Sequence, residues 1–240
     1  MNPSVETMNQ PPLFHLYRRC ASALMLAALC ACSSLRPTAT PPPSFYSLDA
    51  AAAPSASTGA MPASVPGSAP SAAPTLIINP PHAAAGFDSQ RIIYTRAAQK
   101  LEYFAHSEWV DPPARMLAPL LVAAAVRTGA FNAVVTTPGA AAGDLRLDTE
   151  IVRLLQQFGS GPSQVRFTLR ASLVDERTRR VLVAREFDAT LAADSDDPYG
   201  GVLAAGRVVQ DVLRQLAAVC AEAAAAWRPP PAKPVTGTPR

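Results

Sequence analysis

The sequence is poor in the residues from which catalytic and metal sites are usually built. It has 3 His in 240 residues and no H-E-x-x-H, paired C-x-x-C, P-loop or G-x-S-x-G segment. His82 and His106 have no Cys or carboxylate cluster beside them in the sequence. Glu102 and Glu108 flank His106, but on an extended strand they lie roughly 20 Å apart, too far for an acid–base pair. The residues therefore predict no enzyme, no cofactor and no metal.

Charge is sparse as well, because only 16% of the residues are Asp, Glu, Lys or Arg and the formal net charge is +3. Residues 75–227 contain 15 Arg and Lys against 16 Asp and Glu. A nucleic-acid-binding domain needs a basic face, so this near-neutral segment predicts no nucleic-acid partner. Of the 25 Pro, 12 lie in residues 1–74 and 5 in residues 229–240. We expect one compact domain over 75–227 and a disordered tail over 228–240.

No apolar run has the length of a membrane-spanning helix. Arg18 and Arg19 precede an apolar segment, residues 20–31, whose length suits the hydrophobic part of a secretory signal. We therefore predict a signal peptide over residues 1–31. Translation of that signal begins at Met1 or at Met8.

The signal ends in Leu29-Cys30-Ala31-Cys32, which resembles a bacterial lipobox. Cys32 follows a small residue and has Leu three positions before it, so its thiol is predicted to carry a diacylglycerol thioether and an N-acyl chain such as palmitate. Ordinary cleavage beside an incidental cysteine is the alternative. Ser33 takes the next position, where Asp would retain a Gram-negative lipoprotein at the inner membrane. The pattern thus predicts a lipid-anchored protein on the periplasmic face of the outer membrane.

The remaining cysteine, Cys220, has no partner for an internal disulfide once Cys32 is acylated. It lies on the apolar face of a predicted helix, which favours a buried free thiol. A disulfide between two chains, and with it a homo-oligomer, is the alternative.

The lipidated residue is followed by a tether, a short strand and a linker, together residues 32–74. Residues 45–48 predict the strand, and residues 50–74 are almost all Ala, Pro, Ser and Gly. Such a segment buries too little apolar surface to offset its ordering entropy, which predicts a flexible linker.

The domain alternates between strand and helix patterns. A two-residue period predicts strands over 91–94 and 101–110 and in three later sets, the last two of which are joined by a polar turn over 175–180. Two helices are predicted, one with Asp111 as N-cap and Pro119 inside it, the other starting at Asp197-Pro198. Pro119 is expected to kink the first helix or delay its start. The fold class is therefore α+β, a mainly antiparallel sheet with two amphipathic helices packed on one face.

Two groups of side chains are candidates for binding. Charged residues on one face of the strands predict a solvated ladder of cross-strand pairs, with a partner surface as the alternative; they are Arg146, Asp148, Glu150, Arg166, Arg170, Glu186 and Asp188. Tyr103, Phe104 and Trp109 are expected to pack in the core, with an apolar groove as the alternative.

The order of these features resembles the ABC-type transport auxiliary lipoproteins of MCE-type lipid transport systems. The resemblance rests on the short strand after the lipid Cys, on Leu101-Glu102-Tyr103-Phe104 leading through Trp109 to Pro112-Pro113, on Gly129-Ala130-Phe131 and on the terminal helix. It implies a non-catalytic lipoprotein that docks on a periplasmic MCE-domain protein, which works with an ABC permease and ATPase to move lipids between the membranes.

Two other functions remain open from the residues alone. One is a general envelope-assembly lipoprotein of similar layered fold. The other is a module that binds a small ligand in the cleft between the helices and the sheet.

Overall fold

The structure is a computed structural model that describes residues 42–48, 73–139 and 142–229. The predicted signal peptide, Cys32, most of the linker and the tail beyond residue 229 lie outside these residues. All the elements below belong to one compact unit, Pro43–Arg240.

The predicted α+β class is confirmed, with strands and two helices around one core. In chain order the elements are β1 (Ser44–Tyr46), β2 (Thr75–Ile78), β3 (His82–Ala83), β4 (Arg91–Ala97), β5 (Lys100–Trp109), α1 (Pro113–Arg127), β6 (Ala133–Thr136), β7 (Leu145–Gln157), β8 (Gln164–Asp175), β9 (Val181–Ala192) and α2 (Pro198–Ala226).

The sheet is organised around β7, the longest strand. On one edge β7 pairs antiparallel with β8, which pairs antiparallel with β9 through the predicted hairpin. On the other edge β2, β3 and β4 pair with it in turn, all parallel. Strand β6 lies outside β2, while β5 and then β1 lie outside β4. The sheet is therefore mixed: its longest ladders are antiparallel as predicted, and its parallel ladders were not predicted.

Alternation along β7 places one row of side chains in the core and the other in solvent. Leu145, Leu147 and Ile151 are buried, while the charged residues between them face outward. A register shift between Ile151 and Arg153 ends the alternation, and residues 154–156 are then all buried. Because a bulge breaks the two-residue period, the sequence pattern stopped at Ile151 and missed the second half of the strand.

Both helices pack on the apolar face of the sheet and form the core with it. The buried stripe of α2 includes Val209, Leu213 and Leu216, each at most 2% exposed, as its sequence period predicted. Leu48, just after β1, is 1% exposed in the same core. The short strand before the linker is therefore part of the domain. Within the described part of the chain, neither helix is both long and apolar enough to cross a membrane.

The helix ends match the predictions only in part. Asp197 caps α2 as predicted, because its Oδ1 accepts a hydrogen bond from Gly200 N at 2.7 Å. The N-cap predicted at Asp111 is wrong: Pro112 takes that position without a side-chain bond, and Asp111 instead accepts from Arg115 Nη1 at 3.2 Å. Helix α1 runs through Pro119 and its start is not delayed. Pro119 is exposed, so the missing N–H leaves a carbonyl on the solvent side.

Candidate functional surfaces

The predicted lipid-attachment residue, Cys32, lies outside the described residues. Among the residues that are described, no group of three or more His, Cys, Asp or Glu side chains is placed to hold a metal ion. His82 pairs with Glu150 in the β3–β7 ladder, and His106 is exposed on β5. The structure therefore does not bring the two histidines together.

The predicted charge ladder is present on the outer face of β7, β8 and β9. Arg170 lies at its centre: Nη1 donates to Glu150 Oε2 at 2.8 Å on one neighbouring strand, and Nη2 donates to Glu186 Oε2 at 3.2 Å on the other. Toward the start of β7, Arg146 pairs with Asp148 at 3.0 Å and with Glu176 at 2.7 Å. These half-exposed pairs neutralise one another, which is the solvated ladder that the alternation predicted.

A second feature of this face is an open groove with a volume of about 640 Å³. It runs over the middle of the three strands and carries both signs of charge. Arg185 alternates on β9 with the outward Ala184 and Glu186. Its guanidinium lies over the buried Phe187 ring at 5.1 Å, so its side chain is on the helix face of the sheet and does not point into the groove. The lining residues are His82, Asp148, Thr149, Glu150, Arg170, Ala171, Ser172, Ala184, Arg185 and Glu186.

The tightest pair on the face joins β8 to β9. Arg166 donates to both carboxylate oxygens of Asp188, at 2.9 and 2.7 Å, and Thr168 Oγ1 donates to Asp188 Oδ1 at 2.7 Å. The Arg166 bonds, followed by the Thr168 bond, lower the pKa of Asp188 to about 2. Hydrogen bonding and opposite charge both favour the ionised carboxylate.

This pair makes stability depend on pH in acid. An unfolded Asp titrates near pH 3.9, so the stabilisation from Asp188 is complete above that pH and is lost as the pH falls toward 2. We expect the melting-temperature difference between the wild type and Asp188→Asn to be largest near pH 7 and to shrink from pH 4 to pH 2. Asp88→Asn, at an exposed side chain without a hydrogen bond among the described residues, is the control and should change the melting temperature little. A difference for Asp188→Asn that grows in acid would contradict the assignment.

The three predicted aromatic residues do not form one site. Trp109 is 3% exposed and belongs to the core, as expected. The Phe104 ring lies 4.5 Å from that of Tyr94 in a separate cluster. Tyr103 is 41% exposed, and the Arg91 guanidinium lies over its ring at 4.9 Å. A groove lined by all three is therefore absent from the described residues.

The space between helices and sheet is closely filled. One gap beside Trp109, Gln156 and Gly201 has a volume of about 10 Å³. Another, beside Leu121 and Cys220, has the same volume. Each is at most about the size needed for one water molecule. Neither gap can hold the small ligand that the cleft hypothesis requires.

Cys220 is buried and free, as predicted. Burial raises the pKa of its thiol to about 12, so the thiol is protonated at neutral pH. It is therefore inert toward reagents that react with thiolates.

Two buried polar contacts were not predicted. The Gln156 amide donates to Ser163 Oγ at 2.8 Å and to Asp197 O at 3.3 Å, which fixes the start of α2. At the other end of α2, Trp227 Nε1 donates to Asp175 Oδ2 at 2.8 Å. Burial alone would raise the pKa of Asp175, but this bond and those from Thr178 lower it. Gln156 and Asp197 are 41 residues apart, and Asp175 and Trp227 are 52 residues apart, so no local signal reveals these two contacts.

Comparison with known proteins gives one family over most of the chain. The family model described as the ABC-type transport auxiliary lipoprotein component matches residues 46–217. That span runs from the end of β1 into α2 and covers well over half of the 240 residues. No curated protein matches the sequence significantly.

Solved structures align with this chain at low sequence identity, and the first one described here shares its fold. Protein XCC0632 from Xanthomonas campestris aligns with a TM-score of 0.59 and 22% identity, over 63% of this chain and 85% of that one. An uncharacterized protein aligns with a TM-score of 0.49 and 15% identity, over 62% of this chain and 90% of that one. Lipoprotein GNA1162 from Neisseria meningitidis aligns with a TM-score of 0.33 and 14% identity, over 60% of this chain and 98% of that one.

Proposed function

Because the chain belongs to the family of ABC-type transport auxiliary lipoprotein components, we propose that it is the non-catalytic lipoprotein of an MCE-type lipid transport system. In this role it stands on the periplasmic face of the outer membrane and docks on an MCE-domain protein. That partner works with an ABC permease and ATPase, which supply the energy for moving lipid between the membranes. The observation that carries the proposal is the family match from β1 into α2.

Membrane attachment in this proposal depends on Cys32. A single acyl chain gives only marginal binding, whereas a diacylglycerol together with an N-acyl chain anchors a protein firmly. Ser33 supports delivery to the outer membrane. Residues 33–44 span at most about 40 Å when extended, which sets how far the domain can stand from the bilayer.

The outer-face groove is the surface that we propose for the MCE-domain protein. The helices occupy the opposite face of the sheet, so β7, β8 and β9 leave this face open to a partner. The paired charges of this surface set the orientation in which a partner docks more than they raise the binding affinity. The reason is that burying an ion pair that is already satisfied adds little net free energy.

Site-specific photo-crosslinking in cells tests this proposal. We expect a photoreactive amino acid at Ala184, in the groove, to capture an MCE-domain protein. The same residue at Arg214, whose side chain is 75% exposed on α2, is the matched control and should capture much less of it. Equal capture at both positions would show that the groove is not the docking surface. Capture of envelope-assembly proteins alone would remove the transport role and favour a general assembly lipoprotein.

A further inference from the structure

The β4–β5 hairpin ends in an exposed tip. The two strands pair as far as Ala97 and Lys100, and the turn between them contains Gln99 at a φ of 66°. Residues 96–101 are all exposed. The hairpin tip, defined here as residues 96–103, therefore projects from the folded domain instead of packing on it.

The tip combines apolar and basic side chains. Leu101 is 42% exposed and Tyr103 is 41% exposed, and alternation places them on the same side of β5. Arg96 and Lys100 are exposed on the other side of the hairpin, where Lys100 pairs with Glu102 at 2.9 Å and the Arg96 guanidinium lies over the Tyr94 ring at 4.9 Å. Residues 96–103 thus carry two cations, Arg96 and Lys100, and one carboxylate, Glu102. Exposed apolar and aromatic groups beside cations are typical of surfaces that meet an anionic bilayer.

Strand direction relates this tip to the anchored end of the domain. Strand β1 is parallel to β5, with Ser44 opposite Ser107. The amino-terminal end of β1 therefore faces the end of β5 that carries the tip. Seven residues separate Ser107 from Lys100, which is roughly 23 Å along the strand. The chain between Cys32 and Ser44 can span about 40 Å, so an anchor at Cys32 lets the tip reach the membrane.

We propose that the hairpin tip contacts the bilayer that holds the lipid anchor. Leu101 and Tyr103 enter the headgroup–acyl boundary, and Arg96 and Lys100 lie against anionic headgroup phosphates. The contact fixes the orientation of the domain, which an acyl anchor at Cys32 alone does not. The reach argument rests on the proposed anchor at Cys32, whereas the chemistry of the tip does not depend on it.

Other occupants are outcomes of the test. Beyond Ser107–Trp109, where β1 pairs, the outer edge of β5 has no strand partner among the described residues. A strand from a second copy or another protein would use that edge. The bilayer is favoured because backbone pairing gives no role to the cations or to the outward Leu101.

The test uses the chain from residue 33 onward, which has no lipid site and keeps every described residue. A single Leu101→Cys change provides a thiol for an environment-sensitive dye, because Cys220 is buried with its pKa raised to about 12. Val126→Cys is the control on α1, where Val126 is 59% exposed. On adding phosphatidylethanolamine–phosphatidylglycerol vesicles, we expect a blue shift of dye emission at 101 and none at 126. No shift at 101, or equal shifts, would overturn the proposal.

Vesicle co-sedimentation gives an independent measurement. We expect Leu101→Ser with Tyr103→Ser to lower the partition coefficient at least tenfold, while the exposed control pair Val126→Ser with Val181→Ser leaves it unchanged. Arg96→Gln with Lys100→Gln should remove most of the preference for phosphatidylglycerol over pure phosphatidylethanolamine. Thermal melts confirm that each variant is folded. If the tip variants bind vesicles normally but lose self-association, the surface belongs to a second copy and the proposal is wrong.

Failure here is distinguishable from failure of the proposed function. This chain carries no acyl group, so vesicle binding reports the tip alone. Loss of the lipid anchor would appear in membrane fractionation of the full protein, and loss of the transport role would appear in the crosslinking at Ala184.

Discussion

Replacing Cys32 with serine is expected to prevent acylation, so the protein loses its lipid anchor. A hydroxyl cannot form the thioether on which the acyl anchor depends, and each buried methylene of that anchor is worth about 0.8 kcal/mol. We expect Cys32→Ser to leave either a soluble periplasmic protein or an uncleaved precursor held by residues 20–31. Membrane fractionation combined with intact mass distinguishes these products, because only the second retains the signal.

Cys30→Ser is the matched control for this change. Cys30 lies two residues earlier, where the lipobox pattern places no acceptor, so this variant should remain acylated and in the membrane. An unacylated wild-type protein would contradict the assignment of Cys32. So would loss of acylation in Cys30→Ser, which would make the earlier thiol the acceptor.

Replacing Gly200 with alanine is expected to destabilise the protein, although position 200 lies in the first turn of α2. A Cβ there would lie 2.5 Å from the carbonyl oxygen and 2.6 Å from the amide nitrogen of Ser195. Both are backbone atoms just before the helix, so they cannot rotate away. Gly200 N must also stay in place to donate to Asp197 at 2.7 Å. We expect a loss of about 2–3 kcal/mol, as for other overpacked sites, and a fall in melting temperature of roughly 5–10 °C.

The direction of this effect separates packing from helix propensity. Alanine is preferred to glycine within helices by up to about 1 kcal/mol, so propensity alone predicts stabilisation. Gly161→Ala is the control, because a Cβ at Gly161 meets nothing within 4 Å, and it should be nearly neutral. Thermal melts of the two variants provide the comparison. A Gly200→Ala protein as stable as the wild type would show that the backbone at Ser195 shifts to accommodate the added Cβ.

The features that were predicted correctly are encoded locally. The β8–β9 hairpin follows from two alternating sets and a polar turn, and the stripe of α2 follows from apolar residues at helical spacing. The charge ladder came from the same alternation. Each of these signals lies within a window of about thirty residues.

The features that were missed depend either on distant neighbours or on local backbone geometry that residue types alone do not reveal. Nothing near β2, β3 or β4 shows that all three pair with β7 in parallel. Asp111 resembles an N-cap by residue type, but two prolines follow it and the second one begins the helix. The need for glycine at position 200 follows from the close backbone atoms of Ser195. The hydrogen bond of Trp227 depends on the position of Asp175.

The position of β7 in the chain has a consequence for the order of folding. Strands β2, β3 and β4 complete their pairing only on β7, which leaves the ribosome after them. The segment from β7 to α2, by contrast, is contiguous and rich in near neighbours, so its loop-closure cost is low. We expect the carboxyl-terminal half to nucleate and the amino-terminal strands to add to it. The half that is nearest to the proposed acylation site would then be the last to acquire native structure.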